Sequence, residues 1–406
     1  EVYFGWVDAE TARPIADIEV KVKFEGVLLS GCGLRKMEAP IIGFDADRQM
    51  VHQAFVLTET MGPIEVLDEG EAQHFLAEHG KNAVIREENG VWKVTLLPGA
   101  VVQVPKAVPW KVDVAGQIPT GWHASRYGIP EDIIKYLDPL SIYVLVAVME
   151  AFISAGIADP YELYKFVHVS EVGNSIGCGI GGIRSMEASI KAHAFGQEIA
   201  SDILQEYLGN DVAAWVNLLL MSCSGPVKNT VGACATAAES LSVAVNTILR
   251  GEAKAMICGG ADDIAETTIL DFGAMGATAD TREDHARGRD PKEMSRPAAT
   301  TRTGFLESHG AGIHLLMTAD LALAMGCPIY GIVSHVSTAM DKQGRSLPAP
   351  GKGILSTARE VPRSFLSNSI SLQYRRAQII RDLRRMELFV DEELERVKVL
   401  ARAEGA

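Results

Sequence analysis

The sequence predicts a layered α/β fold with a covered sheet. Apolar patterns alternate in its centre, where helices at Ala213–Met221 and Thr236–Leu249 precede a short buried strand at Ala253–Cys258. Glycine is frequent, with 38 residues, and aromatic residues make up only 6%. This composition favours turns built from small residues over an aromatic-rich β-sandwich. With 406 residues, 47% of them hydrophobic, the chain can form one large domain or two lobes.

The first 111 residues predict an accessory lobe made of strands and loops. Apolar and polar residues alternate at Glu19–Phe24 and at Val91–Leu97, which indicates strands. Asn89-Gly90 lies directly before the second of these runs, and this dipeptide is typical of a tight hairpin turn. We therefore divide the chain into an N-terminal accessory part at 1–111, a core at 112–362 and a C-terminal segment at 363–406.

The predicted core begins with a long apolar helix. Asp138-Pro139 provides an N-cap and a first-turn proline for a helix that continues through Ala155. Further along, charged and turn-forming residues at Thr278–Thr301 predict a surface loop. The remaining elements of the core are predicted as strands at Gly312–Met317 and Tyr330–Val336, a helix at Ala319–Met325 and a Gly/Pro loop at Asp341–Gly353.

The C-terminal segment predicts an amphipathic helix that serves as a helical insertion or an interface. Its apolar residues recur at three- and four-residue spacing among many charges, namely Ile379, Leu383, Met386, Val390, Leu394 and Val397. Two roles are open for this apolar stripe: packing on its own domain, and binding a partner helix.

Composition and charge exclude several classes of protein. The net charge of −14 argues against nucleic-acid binding, which needs a concentrated positive surface. Six cysteines without a C-x-x-C pair are too few for a disulfide scaffold, so a cytoplasmic location is expected. The longest apolar run, Ile142–Ile157, is interrupted by Glu150 and is shorter than the roughly 18–20 residues of a membrane span. We therefore expect no membrane association.

Metal binding is also not expected. The histidines show neither H-x-x-x-H nor H-E-x-x-H spacing. The adjacent pair Asp262-Asp263 projects its side chains in diverging directions, which favours a capped turn over a shared metal ion. His309 is interpreted as a structural residue.

Cys234 is the candidate nucleophile. It lies in the segment VGACATAAES, directly before the predicted helix Thr236–Leu249, so backbone N–H groups and the helix dipole stabilise a thiolate there. Its small neighbours Gly232, Ala233 and Ala235 leave room for an acyl chain, and the same amides can hold an oxyanion. The alternative is a small buried cysteine at a packed helix start.

A glycine-rich run offers a second candidate site. Gly177–Gly182 is a literal G-x-G-x-x-G that follows the apolar stretch Phe166–Val169, and Glu198 and Asp202 lie about 20 residues further on, as in dinucleotide sites. Against that interpretation, Glu171–Asn174 separates the predicted strand from the glycines, and the helix predicted after them is weak. A tight loop that lines a cavity is favoured.

Several longer stretches resemble the ketoacyl synthase region of fungal-type fatty acid synthase alpha subunits over nearly the whole chain. They are GWVDAETARPIAD, GQIPTGWHASRYGIPEDI, DPYELYKFVHVSEVGN, GPVKNTVGACATAAESL, EMSRPAATTRTGF and IYGIVSHVSTAMDKQGRSLPAPGKGILSTARE. The resemblance implies a thiolase-like α/β/α/β/α ketoacyl synthase fold. In this chain that fold is expected to be incomplete, with an N-terminal accessory lobe and a C-terminal amphipathic helix.

The resemblance also implies a reaction. It makes this chain a 3-oxoacyl-[acyl-carrier-protein] synthase part, in which Cys234 accepts an acyl group and malonyl-carrier condenses with it after losing carbon dioxide. It places Gly179, Ile180 and Gly181 along the acyl cavity, where the family commonly has a flexible Met at the position of Ile180. The family's two histidine motifs, resembling FHGTST and GHPKG, do not occur here. The isolated chain is therefore expected not to condense.

Partners and cofactors follow from the same resemblance. This segment is expected to bind no cofactor itself, since phosphopantetheine on an acyl carrier domain delivers the substrate and reductase domains outside the chain use NADPH. The expected partners are the beta subunit, that carrier domain and other alpha subunits. Departures from the family at Ile180 and Arg184–His193 suggest a specialised paralogue that supplies a polyketide precursor. The alternatives are a nicotinamide-dependent oxidoreductase that uses Gly177–Gly182 and a non-catalytic scaffold.

Overall fold

A computed structural model describes residues 6–7, 13–38, 49–108, 111–194, 196–199, 201, 203–297, 299–338 and 372–403. The chain divides into two compact units, the first formed by Glu1–Gly116 with Glu266–Leu306 and the second by Gln117–Ala265 with Glu307–Ala406. The sequence patterns gave no indication that the segment after residue 265 belongs with the N-terminal part. The domain boundaries at 111 and 362 remain proposals.

The helices and strands are named here in chain order. They are β1 (Trp6–Val7), β2 (Pro14–Ile15), α1 (Asp17–Ser30), β3 (Leu34–Lys36), β4 (Gln49–Val56), β5 (Met61–Val66), α2 (Glu69–His79), β6 (Ala83–Glu88), β7 (Val91–Leu96), β8 (Val101–Val108), β9 (Val114–Gly116), α3 (Glu131–Tyr136), α4 (Pro139–Ser154), β10 (Val172–Gly177), α5 (Ile183–Ala194), α6 (Ile203–Glu206), α7 (Asp211–Val216), α8 (Thr236–Leu249), β11 (Ala255–Asp262), α9 (Glu266–Ala274), α10 (Thr281–Ala286), β12 (Gly310–Met317), α11 (Ala319–Met325) and α12 (Leu372–Ala403).

The first unit contains the predicted hairpin. β6 and β7 pair antiparallel with Glu88 opposite Val91. Asn89 and Gly90 both have positive φ, 56° and 79°, as a type I′ turn requires, because its twist matches that of the flanking strands. Together with β5 this hairpin packs its apolar face against α2 around a small core of Val66, Ala72, Ala83, Val94, Leu96 and Ala100.

The strand predicted at Glu19–Phe24 is wrong, because these residues lie inside α1. Val22 and Phe24 are exposed, so their alternation with charged residues does not mark a buried sheet face. The Lys23 ammonium instead lies 2.6 Å from the Glu19 carboxylate, an i,i+4 pair that supports a helix. Helical side-chain pairing therefore overrides a pattern of period two that extends over only six residues.

The second unit is built on a three-stranded sheet of order β10-β11-β12. β10 and β11 are parallel, and β12 is antiparallel to β11. Successive residues of β11 face opposite sides: Ala255 and Ile257 join the large core on the α4 side, while Met256 and Cys258 pack with Ala244 of α8. Helix, sheet and helix thus form three consecutive layers, as the predicted α/β architecture requires.

The helix limits follow from their capping residues. Asp138 accepts a hydrogen bond from the Leu140 N–H at 2.9 Å and Pro139 occupies the first turn, which confirms the predicted start of α4. α8 and α11 have the predicted bounds. The helix predicted at Ala213–Met221 begins two residues earlier, as α7, and ends in a π-helical turn, Asn217–Met221.

Several predicted elements differ from the structure. Tyr330–Val336 is irregular, and its β-branched Ile332 is almost fully exposed, so these residues do not form a strand. The strand before the glycines is Val172–Gly177 instead of Phe166–Val169, and the helix after them begins at Ile183. The loop predicted at Thr278–Thr301 also contains α10. The loop predicted at Asp341–Gly353 lies outside the described residues.

The predicted C-terminal helix is confirmed as α12, which extends over 32 residues. All six residues of its apolar stripe are at least 40% exposed. Among the described helices, none is both long and apolar enough to cross a membrane.

Candidate active site

Cys234 lies at the start of α8 and is the exposed member of the six cysteines. It follows Ala233, whose φ of 50° is in the left-handed region that side chains other than glycine seldom adopt. This conformation turns the chain sharply from the segment before the cysteine into the helix. The turn therefore presents the thiol to solvent at the end of α8 where backbone N–H groups point outward.

Side-chain hydrogen bonds hold this turn in place. The Thr236 hydroxyl donates to the Ala233 carbonyl at 2.6 Å and accepts from the Gly232 N–H at 2.9 Å. The Ala235 N–H donates to the Gly232 carbonyl at 3.0 Å. These bonds fix the backbone on both sides of Cys234, which offsets the strain at Ala233.

Two glycines bring α8 close to the sheet. Gly177 and Gly260 lie opposite each other in the parallel pair of β10 and β11. A Cβ at Gly177 would collide with the Thr236 methyl group, and a Cβ at Gly260 would lie 2.9 Å from the Ala237 Cβ. The absence of side chains at these two positions therefore sets the distance between the sheet and the start of α8.

The glycine-rich loop borders the same turn. A Cβ placed on Gly179 would lie 3.4 Å from the Ala233 carbonyl oxygen, so this residue is next to the one that precedes Cys234. Gly181 has a φ of 89°, and a Cβ there would lie 2.8 Å from the Tyr207 carbonyl oxygen. Ile180 is 43% exposed. The structure thus places the loop predicted to bind substrate beside the candidate nucleophile.

Strand β10, the loop Gly177–Gly182 and helix α5 follow one another directly. This arrangement resembles a dinucleotide site more than the sequence patterns indicated. The start of α5 is nevertheless occupied by a carboxylate, because Asp138 Oδ2 accepts from the Ser185 N–H at 3.1 Å and from its hydroxyl at 2.7 Å. In a dinucleotide site this helix start would bind the pyrophosphate. A buried carboxylate there repels such an anion, so the geometry does not support nicotinamide binding.

Asp262 and Asp263 diverge as predicted, and each joins a different group. Asp262 Oδ1 accepts from the Gly179 N–H at 2.9 Å. Asp263 is fully buried and binds the Arg184 guanidinium through both oxygens, at 2.7 and 2.9 Å. The contact of Asp262 with the loop was not predicted. It arises because the glycine loop follows β10 while Asp262 ends β11, the neighbouring strand of the sheet.

His309 completes the network around Asp263. Its Nε2 accepts from the Ile118 N–H at 2.9 Å, so the ring proton is on Nδ1, which lies 3.3 Å from Asp263 Oδ1. The ring also packs edge-on against Tyr143. Burial, followed by the nearby charge of Asp263, raises the pKa of the Tyr143 hydroxyl above its ordinary value.

Four of the other five cysteines are poorly placed for nucleophilic chemistry. Burial raises the pKa of Cys178 to about 11, with a further contribution from the charge of Asp262, and raises that of Cys258 to about 12. Burial also raises the pKa values of Cys223 and Cys327. Since the thiolate is the reactive form, these four are less reactive than an ordinary exposed thiol. The described residues contain no group of His, Cys, Asp or Glu that could hold a metal ion.

Asp211, a half-buried carboxylate at the start of α7, gives a prediction about stability. Burial, followed by the charge of Glu206, raises the pKa of Asp211 to about 6 from an ordinary 3.8. The folded state therefore favours the protonated acid, and stability is lost as the pH rises through 6. We expect Asp211→Asn to raise the free energy of unfolding by about 1 kcal/mol at pH 7.5. This is less than the free energy that the pKa difference alone corresponds to, because solvent screens the charge of a half-buried side chain.

The measurement is thermal unfolding of both proteins between pH 4 and 8. The gain of the variant over the wild type should grow as the pH rises from about 4 to 6 and stay constant above pH 6. Asp271→Asn, at an exposed position of α9, is the matched control and should show no such trend. A gain that is equal at pH 4 and pH 8 would contradict the assignment.

Comparison with known proteins identifies the family. Residues 79–322 match the family described as beta-ketoacyl synthase, N-terminal domain. The chain is 48% identical over 404 residues to fatty acid synthase subunit alpha of Saccharomyces cerevisiae, covering 98% of this chain and 21% of that protein. Identity to the same subunit of Penicillium patulum is 46%, covering 100% and 22%. The chain thus spans about a fifth of the length of these relatives.

A solved structure confirms the predicted fold class. The ketosynthase FabY of P. aeruginosa superimposes with a TM-score of 0.69 at 22% identity, covering 86% of this chain and 55% of that one. At this level of identity the likeness shows the thiolase-like fold alone. Together with the family match over more than half of the residues, these findings show that the chain belongs to the beta-ketoacyl synthase family and corresponds over nearly its whole length to part of fungal fatty acid synthase alpha subunits.

Proposed function

We propose that this chain supplies the cysteine-bearing part of a 3-oxoacyl-[acyl-carrier-protein] synthase, and that Cys234 carries the growing acyl group. The observation that carries this proposal is the exposed Cys234 at the start of α8, with the glycine loop beside it. An accessible thiol, helix-end N–H groups and an adjoining loop without side chains at Gly179 and Gly181 suit acyl transfer.

In the first step the Cys234 thiolate attacks the carbonyl carbon of an acyl thioester. A carbon–sulfur bond to Cys234 forms, negative charge develops on the carbonyl oxygen, and the bond to the delivering thiol then breaks. Backbone N–H groups at the start of α8 stabilise the oxyanion, since they are fixed before the reaction at the helix end where Cys234 lies. The hydrogen bonds of Thr236 hold those groups in position.

In the second step a malonyl thioester loses carbon dioxide, and the electron pair of the broken carbon–carbon bond forms a carbanion. The carbanion attacks the acyl carbon held on Cys234 and makes a new carbon–carbon bond. The Cys234 thiolate leaves, and a 3-oxoacyl thioester two carbons longer is released. Cys234 is thereby returned to its starting state.

The partners follow from the same proposal. The acyl and malonyl groups arrive on the phosphopantetheine arm of an acyl carrier domain, and NADPH serves reductase domains outside this chain. The beta subunit and other alpha subunits complete the synthase. A cytoplasmic location is supported by the six cysteines, which are all free thiols.

The proposal is tested by acylating the full-length synthase. Incubation with a short acyl thioester, followed by peptide mass mapping, should find the acyl group on Cys234 and leave the other five cysteines unmodified. The matched control is Cys32→Ala, which removes a partly exposed cysteine of the first unit and should leave acylation unchanged. Acyl transfer to a different cysteine would overturn the proposal.

A further inference from the structure

The loop beside Cys234 is held by a carboxylate from the neighbouring strand. β10 and β11 pair in parallel up to Gly177 and Gly260, and the same register continued would place Gly179 opposite Asp262. The backbone ladder ends before that point. Asp262 Oδ1 instead accepts from the Gly179 N–H at 2.9 Å, and its carboxylate also interacts with the Ile180 N–H. The Asp262 side chain thus replaces the backbone hydrogen bonding of the sheet at this point.

Asp262 has a fixed position from which to hold the loop. It is the last residue of β11, the central strand of the sheet, and it pairs with Gly310 of β12. The next residue, Asp263, is bound by Arg184 and lies against His309. The backbone that follows Asp262 is therefore also held. The carboxylate therefore acts on the loop from a rigid support.

The other end of the loop is attached independently. Asp138 binds the Ser185 N–H and hydroxyl at the start of α5, and a Cβ at Gly182 would collide with the Glu206 carbonyl oxygen. These contacts hold the helix that follows the loop. Asp262 acts on residues 179 and 180 themselves, and loss of its hydrogen bonds frees those residues while leaving α5 attached.

The position of this loop matters for the space beside Cys234. A Cβ on Gly179 would lie 3.3 Å from Asp262 Oδ1 and 3.4 Å from the Ala233 carbonyl oxygen. Gly179 is therefore enclosed between the carboxylate and the turn that precedes Cys234. Release of the loop from Asp262 lets Ile180 change position relative to the turn that carries Cys234. Because Ile180 is half-exposed and stiff at χ1, its position affects which acyl chains fit beside this turn.

We propose that Asp262 is a positioning residue that holds the Gly179–Gly181 loop beside Cys234 and thereby limits the length of the acyl chain accepted there. This inference rests on the proposed function, because it concerns acyl groups carried on Cys234. Asp262 touches neither the substrate nor the reacting atoms. It acts through the Gly179 and Ile180 amides.

The experiment compares acylation of Cys234 by short and long acyl thioesters in the full-length synthase. We expect Asp262→Ala to raise the ratio of long-chain to short-chain kcat/KM by about tenfold, as for loss of a hydrogen bond to a charged group. Asp262→Asn keeps an oxygen acceptor and should stay within about twofold of the wild type. Asp271→Ala, at an exposed position, is the control for general effects on stability.

A second variant keeps the inference testable if Asp262→Ala fails to fold. Gly179→Ala pushes a methyl group against the Asp262 carboxylate from the loop side and should change the ratio in the same direction. The inference is wrong if Asp262→Ala and Gly179→Ala both keep the wild-type ratio of long-chain to short-chain kcat/KM. It is also wrong if Asp262→Asn changes this ratio as much as Asp262→Ala does. Wild-type synthase that takes no acyl group on Cys234 would instead refute the proposed function, so the two failures are distinguishable.

Discussion

Cys234→Ala in the full-length synthase abolishes formation of the 3-oxoacyl product. We expect the rate to fall by about a thousandfold or more, because the acyl-enzyme cannot form without the sulfur nucleophile. Substitution at an exposed position also leaves no cavity, so the thermal unfolding midpoint should stay unchanged. The measurement is malonyl-dependent release of product, with the unfolding midpoint recorded for the same preparations.

The controls separate loss of the nucleophile from loss of structure. Cys32→Ala should keep full activity, since this cysteine lies in the first unit. Cys234→Ser keeps the size of the side chain but replaces a thiol with a much weaker nucleophile, and it should be nearly as inactive as the alanine variant. A Cys234→Ala enzyme with more than a tenth of the wild-type rate would favour the scaffold interpretation.

Ile180→Met lengthens the acyl chains that the synthase accepts. Isoleucine is β-branched and stiff at χ1, whereas methionine adapts its shape to a neighbouring chain. Each methylene that gains burial contributes about 0.8 kcal/mol, so three or four methylenes change the preference by roughly a hundredfold. The measurement is the length distribution of acyl products from the intact synthase.

The control for this substitution is Ile190→Met, which makes the same chemical change at an exposed position of α5. Its products should match those of the wild type. If Ile180→Met also leaves the distribution unchanged, other residues set the depth of the cavity. The Asp262 variants should then leave it unchanged as well, because they act through the same loop.

Local signals in the sequence predicted the elements that local interactions determine. Asn89-Gly90 fixes a hairpin because few other dipeptides tolerate two positive φ values, and Asp138-Pro139 fixes a helix start because it satisfies the first free N–H groups. The strand predictions that failed rested on short runs of residues. Glu19–Phe24 alternates apolar and charged residues, yet Val22 and Phe24 are exposed, and Tyr330–Val336 is β-branched, yet its Ile332 is exposed. Whether such a run is buried depends on residues distant in the chain.

The candidate site was predictable only in part for the same reason. Cys234 and the glycine loop were found from their own sequence motifs and from the family resemblance. The left-handed Ala233 was not predicted, because nothing in its identity indicates a positive φ. The contacts of Asp262 with Gly179 and of Asp263 with Arg184 and His309 arise from the sheet register, which brings together residues that the sequence keeps far apart.

The parallel pairing of β10 and β11 has a consequence for the order in which the molecule matures. Gly179 and Asp262 are 83 residues apart in the chain, and α8 with Cys234 lies between them. Closing so long a connection is entropically costly and slow, so local helices form well before the sheet does. During synthesis on the ribosome, Cys234 emerges before the strand that carries Asp262. For a time, the Cys234 thiol is therefore open to chemical modification while the loop is not yet held in place beside it.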